Sequence, residues 1–520
     1  MIPLEALERW LRASLRGLLS VALILAVAGI WGFTLGADEG WNLSSIGALS
    51  GDPRLAFEMQ PVLTSGGLFA ALQGALFAAG AESLWSHRVL SLLAALSALV
   101  LAWQLLPRGA RDADQRWLVA AGIVAAPGAL TLAGLAHAEW MATALAVAFV
   151  VLWERMAGRG TKRILVCGAV LGLALATRST AIALVPGFLA WSLIGSRDRV
   201  GRVREAVATS ALAGIVLVGA TALYTAASPS VPGARETLTV MGLTGLIPDY
   251  PRVMNRWLVG ERLMPAASLI AVTALVMGWG HRRTDRPATW TLLVAFAWSG
   301  WALWMLRAPI PHLRYLWPAA GALGIAAGLG LAALHASGSS RARVAALAVA
   351  VGITLGPVGI AARHLLNGQT DLVMWEWSGE APLSYTRRFQ HVQDQHAAAA
   401  WIRAHLGPDE EIAVFSQPFA MRLLTGRNFH AFWDFVEDDP ARWKDRPLPG
   451  WILLQPTNHA YRYLGTAAKN WISESCTVEA QFGSYVVYRV RGPWPEDPTR
   501  FEVERRPDLR FPLAKPRFGE

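Results

Sequence analysis

Apolar residues gather into runs along most of the chain, at roughly 17–36, 88–106, 117–135, 138–154, 164–177, 180–195, 206–226, 265–280, 289–306, 314–335 and 344–362. A helix needs about 20 residues to cross 30 Å of hydrocarbon, with wide tolerance, so the pattern predicts about eleven transmembrane helices. The apolar segment at 62–80 is assigned to the membrane interface, because one more span would break the charge parity of the loops. Beyond 362 the pattern changes. Residues 385–405 have helical periodicity, 411–416 and 450–456 read as buried strands, and 477–490 reads as an antiparallel pair. The expected architecture is therefore a polytopic α-helical membrane domain over 1–362 and a small α/β domain over 363–520.

The stretch 164–194 is apolar except at Thr177-Arg178-Ser179. As one helix it would be ~46 Å long, well beyond the hydrocarbon core; as two helices of ~14 residues, each would reach only ~21 Å. A hairpin whose turn is sunk below the outer surface satisfies both limits. Irregular backbone at that depth is tolerated only beside protein or a water-filled cavity.

Charge orients these spans. Only 16% of residues are charged, against about 25% in an ordinary soluble chain. Much of the net charge of +10 falls in alternate short loops: Arg9, Arg12 and Arg16, then Arg108, Arg111 and Arg116, then Arg155, Arg159, Lys162 and Arg163, then Arg197, Arg199, Arg202 and Arg204. Arg282, Arg283 and Arg286 follow, then Arg341 and Arg343; the 227–264 loop, with four arginines, is the exception among outer loops. The rule that positive loops stay inside places the N-terminus in the cytoplasm and, with an odd helix count, the C-terminal domain outside. This distribution explains the basic balance without a nucleic-acid partner. The first apolar run is too long for a signal-peptide core, and Leu35 spoils a small-residue cleavage site before Ala37, so the run reads as a retained anchor. Cys167 and Cys476 imply no disulfide framework. No GxGxxG fingerprint, Walker A sequence or HExxH appears, which leaves soluble nucleotide chemistry unsupported. The 24 tryptophans read mostly as interfacial belts.

Charges on the outer side carry the candidate chemistry. Asp38-Glu39 follows the first span, either as a solvated boundary or as a general base facing an amphipathic substrate. His137-Ala-Glu139 occupies the shortest outer connection, with Glu139 either in interfacial water or a second acid facing the same cavity. Arg88 is expected to open the second helix, Arg178 sits in the sunken turn, and Arg307, His312, Arg314 and Tyr315 lie between the ninth and tenth helices. Each arginine alone fits a snorkelling side chain. Several converging on one cavity would bind phosphate, because guanidinium groups engage it bidentately. Asp38, Glu139 and His137 leave metal ligation open, but no spacing demands it, so no cofactor is required.

An acidic pair after helix one, an Arg at helix two and an acid between helices three and four resemble the GT-C superfamily. Within it the likeness is to the protein mannosyltransferase and aminoarabinose transferase branch. The segment Gly172-Leu-Ala-Leu-Ala-Thr-Arg178 through Pro186 is similar to that branch's GLALLTK segment, and His312-Leu-Arg314-Tyr315-Leu-Trp-Pro318 to its RYLLP segment. Residues 397–427, ending Leu424-Thr-Gly-Arg427, are similar to the small outer domain of many bacterial members. Where the family often carries His-Pro in the first outer loop, Gln60-Pro61 stands here. The resemblance implies a bacterial inner-membrane, inverting glycosyltransferase that takes a sugar from a polyprenyl-phosphate donor. It implies Asp38, Glu39 and Glu139 as catalytic carboxylates. Donor phosphate would bind Arg88, Arg178, His312, Arg314 and Tyr315, while His137, Gln60 and Arg307 face the acceptor or cavity. The acceptor would be an envelope glycan, lipid or protein. A transporter or flippase for a lipid-linked saccharide, or a non-catalytic scaffold of the same fold, is the competing reading.

Overall fold

The computed structural model describes residues 3–32, 67–80, 84–106, 112–126, 128–194, 199–227, 287–307, 317–337, 339–367, 388–407, 410–414, 421, 424–427, 429–431, 449–454, 466–483 and 485–494. They fall into two compact units, one helical and ending at residue 367, the other beginning at residue 388.

The helical unit contains α1 (Leu4–Gly32), α2 (Gly67–Ala78), α3 (Leu84–Gln104), α4 (Ala113–Ala125) and α5 (Ala129–Ala133). It continues with α6 (Glu139–Arg155), α7 (Thr161–Thr177), a 3₁₀ turn (Ser179–Ala183), α8 (Leu184–Leu193) and α9 (Arg199–Ala227), then α10 (Pro287–Arg307), α11 (Ala319–Ala336) and α12 (Ser340–Asn367). Among the described residues, five helices are long and apolar enough to cross a membrane: α1, α3, α9, α11 and α12. α6 and α7, of 17 residues each, rise about 26 Å, still within the range of a span. α2, with 12 described residues, rises about 18 Å. The segment 265–280 lies outside the described residues.

Several boundaries differ from the hydrophobic pattern for local reasons. α1 begins at Leu4 rather than near 17, so Arg9, Arg12 and Arg16 ride on helix, where a run of polar residues had looked like a loop. The expected span at 117–135 is broken: α4 stops at Ala125 and Ala126 is extended (φ −66 at the opposite cap, Asp112; φ −63, ψ 131 at Ala126). Ala126 precedes Pro127, and a residue before proline is pushed out of the helical region. Gly128 then takes φ 74, which suits glycine, before the short α5. α3 begins at Leu84, so Arg88 lies one turn inside the helix rather than at its start. The tenth apolar segment becomes helical only at Ala319, after Pro318.

Hydrophobic driving force between helices vanishes in lipid, so close packing must replace it. Small residues supply the approach. A Cβ on Gly328 would lie 2.7 Å from the Val119 Cα, and one on Gly324 would lie 2.5 Å from the Gly122 carbonyl oxygen, so α11 and α4 touch backbone to backbone. The perimeter is the reverse: Ile24 of α1 and Ile215, Val218 and Leu223 of α9 are exposed, as lipid-facing side chains are. Near the N-terminal end of α1, Glu8 bonds Arg12 and Arg343, and Asp114 of α4 takes Arg12 at 2.7 Å and Arg16 at 3.2 Å. At the opposite end, Arg88 donates to the Ile30 carbonyl at 2.9 Å. Arg12 and Ile30 are about 27 Å apart along the helix, close to the thickness of a hydrocarbon core.

The second unit is a five-stranded sheet in the order β2-β1-β3-β5-β4, with β1 (Ile412–Val414), β2 (Phe429–Ala431), β3 (Trp451–Leu454), β4 (Cys476–Phe482) and β5 (Tyr485–Val490). β1 runs parallel to β2 and β3; β5 runs antiparallel to β3 and β4. One face packs Ala398, Ala399 and Ile402 of α13 (Arg388–His405), with Leu406 just past its end, on Val414, Leu453 and Val487. The other packs Ile472 of α14 (Thr466–Ser475) on Ile452 and Leu454. β1 and β3 are covered on both faces, which is why they read as unbroken apolar runs. The Leu424-Thr-Gly-Arg427 segment turns at Gly426, φ 66, and sends Arg427 to the Leu406 and Gly407 carbonyls behind α13. Glu410 accepts from the Gly407 N–H at 2.6 Å and the Trp451 indole at 3.1 Å, and the backbone bond chiefly holds its carboxyl below the usual range.

Gly328→Val is expected to lower the melting temperature of the detergent-solubilised protein by an overpacking cost of about 1–3 kcal/mol, whereas Gly352→Ala, with open space around it, leaves it unchanged or slightly raised. Because the folded-state pKa of Glu410 is lowered, its contribution is present above the ordinary carboxylate pKa and lost as pH falls through the lowered value. Glu410→Gln should therefore weaken hydrogen-exchange protection of residues 410–414 at pH 7 but not at pH 2. The effect is under about 1 kcal/mol, since the group is exposed.

Candidate functional site

Four of the predicted site residues have described side chains, and all four are buried: Arg88, His137, Glu139 and Arg178. Two of them meet. Arg178 Nη2 lies 3.1 Å from Glu139 Oε1, with side chains only 3% and 0% exposed. Glu139 is the first residue of α6, and Arg178 caps the C-terminal end of α7 in an extended conformation, φ −150 and ψ 125. The macrodipole favours an anion at a helix N-terminus and a cation at a C-terminus. Both charges thus sit where their own helices stabilise them, and the α6–α7 hairpin brings the two ends together.

Neighbouring residues hold each partner in place. The Ser91 hydroxyl of α3 donates to the His137 carbonyl at 3.0 Å and accepts from the His137 N–H at 3.1 Å, clamping the turn that leads into Glu139. The Thr143 hydroxyl donates to the Glu139 carbonyl at 2.8 Å. Trp140, beside Glu139, donates its indole N–H to Ala129 at 2.9 Å and meets the Trp317 ring at 4.7 Å between centroids. Past Arg178, the Thr180 hydroxyl donates to the Trp317 carbonyl at 2.6 Å, and the Ser299 hydroxyl of α10 reaches the Ala183 carbonyl at 2.6 Å.

Arg88 lies one turn before Ser91 on α3. Its guanidinium bonds the last turn of α1 and stands 5.7 Å from the Trp85 ring. The same helix thus touches both the end of α1, from which the chain continues toward Asp38, and the turn that carries His137. Asp38, Glu39, Gln60, His312, Arg314 and Tyr315 lie outside the described residues. Arg307 is the last residue of α10, and its side chain also lies outside them. Among the described residues, no group of three or more His, Cys, Asp and Glu could hold a metal ion.

Sequence reasoning singled out Glu139 and Arg178 but missed Ser91, Thr180 and the Trp140–Trp317 contact. The signal for Ser91 was its i,i+3 spacing from Arg88, which puts both on one helix face. Thr180 and Trp317 lie 137 positions apart and carried no local signal.

No family model matches the chain, and no curated protein does. Solved structures do. ArnT from Cupriavidus metallidurans in the apo state aligns with a TM-score of 0.55 and 14% identity, over 92% of this chain and 98% of that one. The same protein bound to undecaprenyl phosphate aligns with a TM-score of 0.54 and 15% identity, at the same coverage. An oligosaccharyltransferase of Archaeoglobus fulgidus, solved in complex with Zn and sulfate, gives 0.49 and 14%, over 84% of this chain and 67% of its own. The likeness to ArnT runs through nearly the whole length of both chains, and ArnT belongs to the GT-C superfamily. The chain shares the fold of ArnT.

Proposed function

We propose that the chain is an inverting glycosyltransferase that moves a sugar from a polyprenyl-phosphate donor to an acceptor at the outer face of the bacterial cytoplasmic membrane. The N-terminus lies inside and the 363–520 domain outside. One observation carries the reading: Glu139 and Arg178, charges from two separate motifs, form a buried ion pair. They do so within a fold whose relative ArnT was solved with undecaprenyl phosphate bound.

In this reading Asp38, with Glu39 beside it, takes the proton from an acceptor hydroxyl or amine, which attacks the anomeric carbon. The bond from that carbon to the phosphate oxygen breaks in the same displacement, inverting the configuration. The electron pair leaves on the lipid phosphate. Arg178, oriented by Glu139, stabilises that charge together with Arg88, Arg314, His312 and Tyr315. Fixed cations aimed at developing charge need no reorganisation during reaction, which is the electrostatic part of catalysis. His137, Gln60 and Arg307 shape the acceptor side, and positioning of the two substrates supplies the rest. The acceptor is an envelope glycan, lipid or protein.

Asp38→Asn should reduce sugar transfer by about 10²–10⁴-fold, the contribution of a general base, with membrane insertion and melting temperature intact. Full transfer by this variant removes the proposed base, and absence of transfer by the wild-type chain, with accumulation of unflipped lipid-linked saccharide on its deletion, favours a flippase. Arg178→Gln or Glu139→Gln alone should abolish transfer and cost about 3–5 kcal/mol in stability, because each strands a buried charge. The double variant should regain much of that stability and none of the transfer, as read by melting temperature beside a transfer assay.

A further inference from the structure

The path from Glu139 to Arg178 closes into a ring. Glu139 is bonded in sequence to Trp140, whose ring meets Trp317 at 4.7 Å. The Trp317 carbonyl accepts from Thr180 at 2.6 Å, Thr180 follows Arg178 by two residues, and Arg178 returns to Glu139 at 3.1 Å. Trp317 is itself wedged. Its side chain is buried, and a Cβ on Gly321 would lie 2.9 Å from its ring and 2.7 Å from the Thr143 methyl. The far end of the 3₁₀ turn is pinned separately, by Ser299 on Ala183. Arg178 itself lies between two helices in extended backbone. Its N–H bonds the Ala174 carbonyl at 3.3 Å and its carbonyl accepts from Ala181 at 2.9 Å, so α7 and the 3₁₀ turn meet at this residue and the Thr180 hydroxyl adds the tie to Trp317.

We propose that Thr180 is a positioning residue for phosphate recognition: its hydroxyl locks the Arg178 turn onto Trp317 and so sets the angle at which the guanidinium is presented beside Glu139. The inference deepens the proposed donor site and rests on that reading. A guanidinium binds phosphate through a planar fork, so affinity depends on its orientation as well as its charge. Thr180 is suited to the task because the β-branched side chain has few χ1 options. Once the hydroxyl is bonded, the turn has little freedom to roll. Removing the hydroxyl leaves the Glu139–Arg178 attraction and the backbone bonds of the turn in place but cuts its tie to Trp317.

The test is binding of undecaprenyl phosphate to the full chain in phosphatidylcholine nanodiscs, with melting temperatures measured alongside. Thr180→Val keeps the shape and removes the donor, Thr180→Ser keeps the donor, and Thr291→Val deletes a comparable hydroxyl, the one that accepts from the Trp191 indole at 3.1 Å. The expected result is about tenfold weaker binding for Thr180→Val, on the scale of one lost hydrogen bond, with Thr180→Ser and Thr291→Val within about twofold of wild type on the same scale. Thr180→Ala carries the same expectation as the valine variant and replaces it should that chain not fold. Wild-type affinity in Thr180→Val, or equal weakening in Thr180→Ser or Thr291→Val, overturns the positioning role while leaving the donor reading standing. A wild-type chain that binds no undecaprenyl phosphate overturns both.

Discussion

The ion pair between Glu139 and Arg178 constrains the rest of the helical unit. Removing two charges from water is expensive, and their mutual attraction offsets the loss only when the geometry is good and neighbouring dipoles cooperate. The helix dipoles cooperate here. Each charge occupies the end of its helix that favours its sign, and the two ends are adjacent because α6 and α7 form a hairpin. A shift of either helix by one turn would move its charge by about 5.4 Å and strand it among apolar residues. The pair therefore sets the register of the hairpin. Stability alone is a weak reason to keep it, since well-packed apolar residues in the same volume are often as stable or more so. Its position at the break between α7 and the 3₁₀ turn fits a requirement for a guanidinium in one fixed place.

That fixed place depends in turn on how closely the helices approach. The contact of α4 with α11 at Gly122, Gly324 and Gly328 puts the start of α11 against the elements that carry the pair. Gly300 of α10 faces Ala319, the first residue of α11, and beyond it Ala183 of the 3₁₀ turn. Without a side chain at these positions, the Trp317 carbonyl can come within hydrogen-bonding distance of Thr180. Close packing by small residues thus does two jobs with one arrangement: it holds the bundle together in lipid and delivers a backbone acceptor to the polar site.

Much of this was legible in the residues themselves. Length and hydropathy located most of the helices, because burial in lipid demands long uninterrupted apolar runs. A break at 177–179 followed from arithmetic on the 164–194 stretch alone, and it is present as Thr177, Arg178 and the start of the 3₁₀ turn. Element ends were harder. The first turns of α1 are polar because Glu8 and Arg12 pair with residues on α4 and α12, and a polar run gives no sign that it is helical. The break at Ala126 was available from Pro127 but was outweighed by the apolar pattern on either side. β2, Phe429–Ala431, has three residues and no alternation to read. At the site, Glu139 and Arg178 stood out as charges in apolar surroundings. Their direct contact did not, because it depends on the relative register of two helices. Hydroxyls and indoles such as Ser91, Thr180 and Trp317 are ordinary in membrane helices and reveal their use only through distance.

Charge arithmetic explains why one arginine would not suffice for the proposed chemistry. The Glu139–Arg178 pair is neutral, so the resting site avoids an isolated buried cation. A departing lipid phosphate brings at least one negative charge, and more as its bond to the sugar breaks. In a medium of low dielectric constant that excess is costly unless another cation stands within a few ångströms. Arg88 is one candidate, since α3 carries it one turn from the Ser91 clamp on the Glu139 turn. Arg314 and His312 belong to the segment that runs into Trp317. The proposed mechanism needs its second cation at full strength only in the transition state, when the phosphate takes up the electron pair. Supplying that charge from an element other than α7 separates two tasks. In the proposed mechanism Glu139 and Arg178 define where the phosphate sits, and the additional cation sets how readily it leaves.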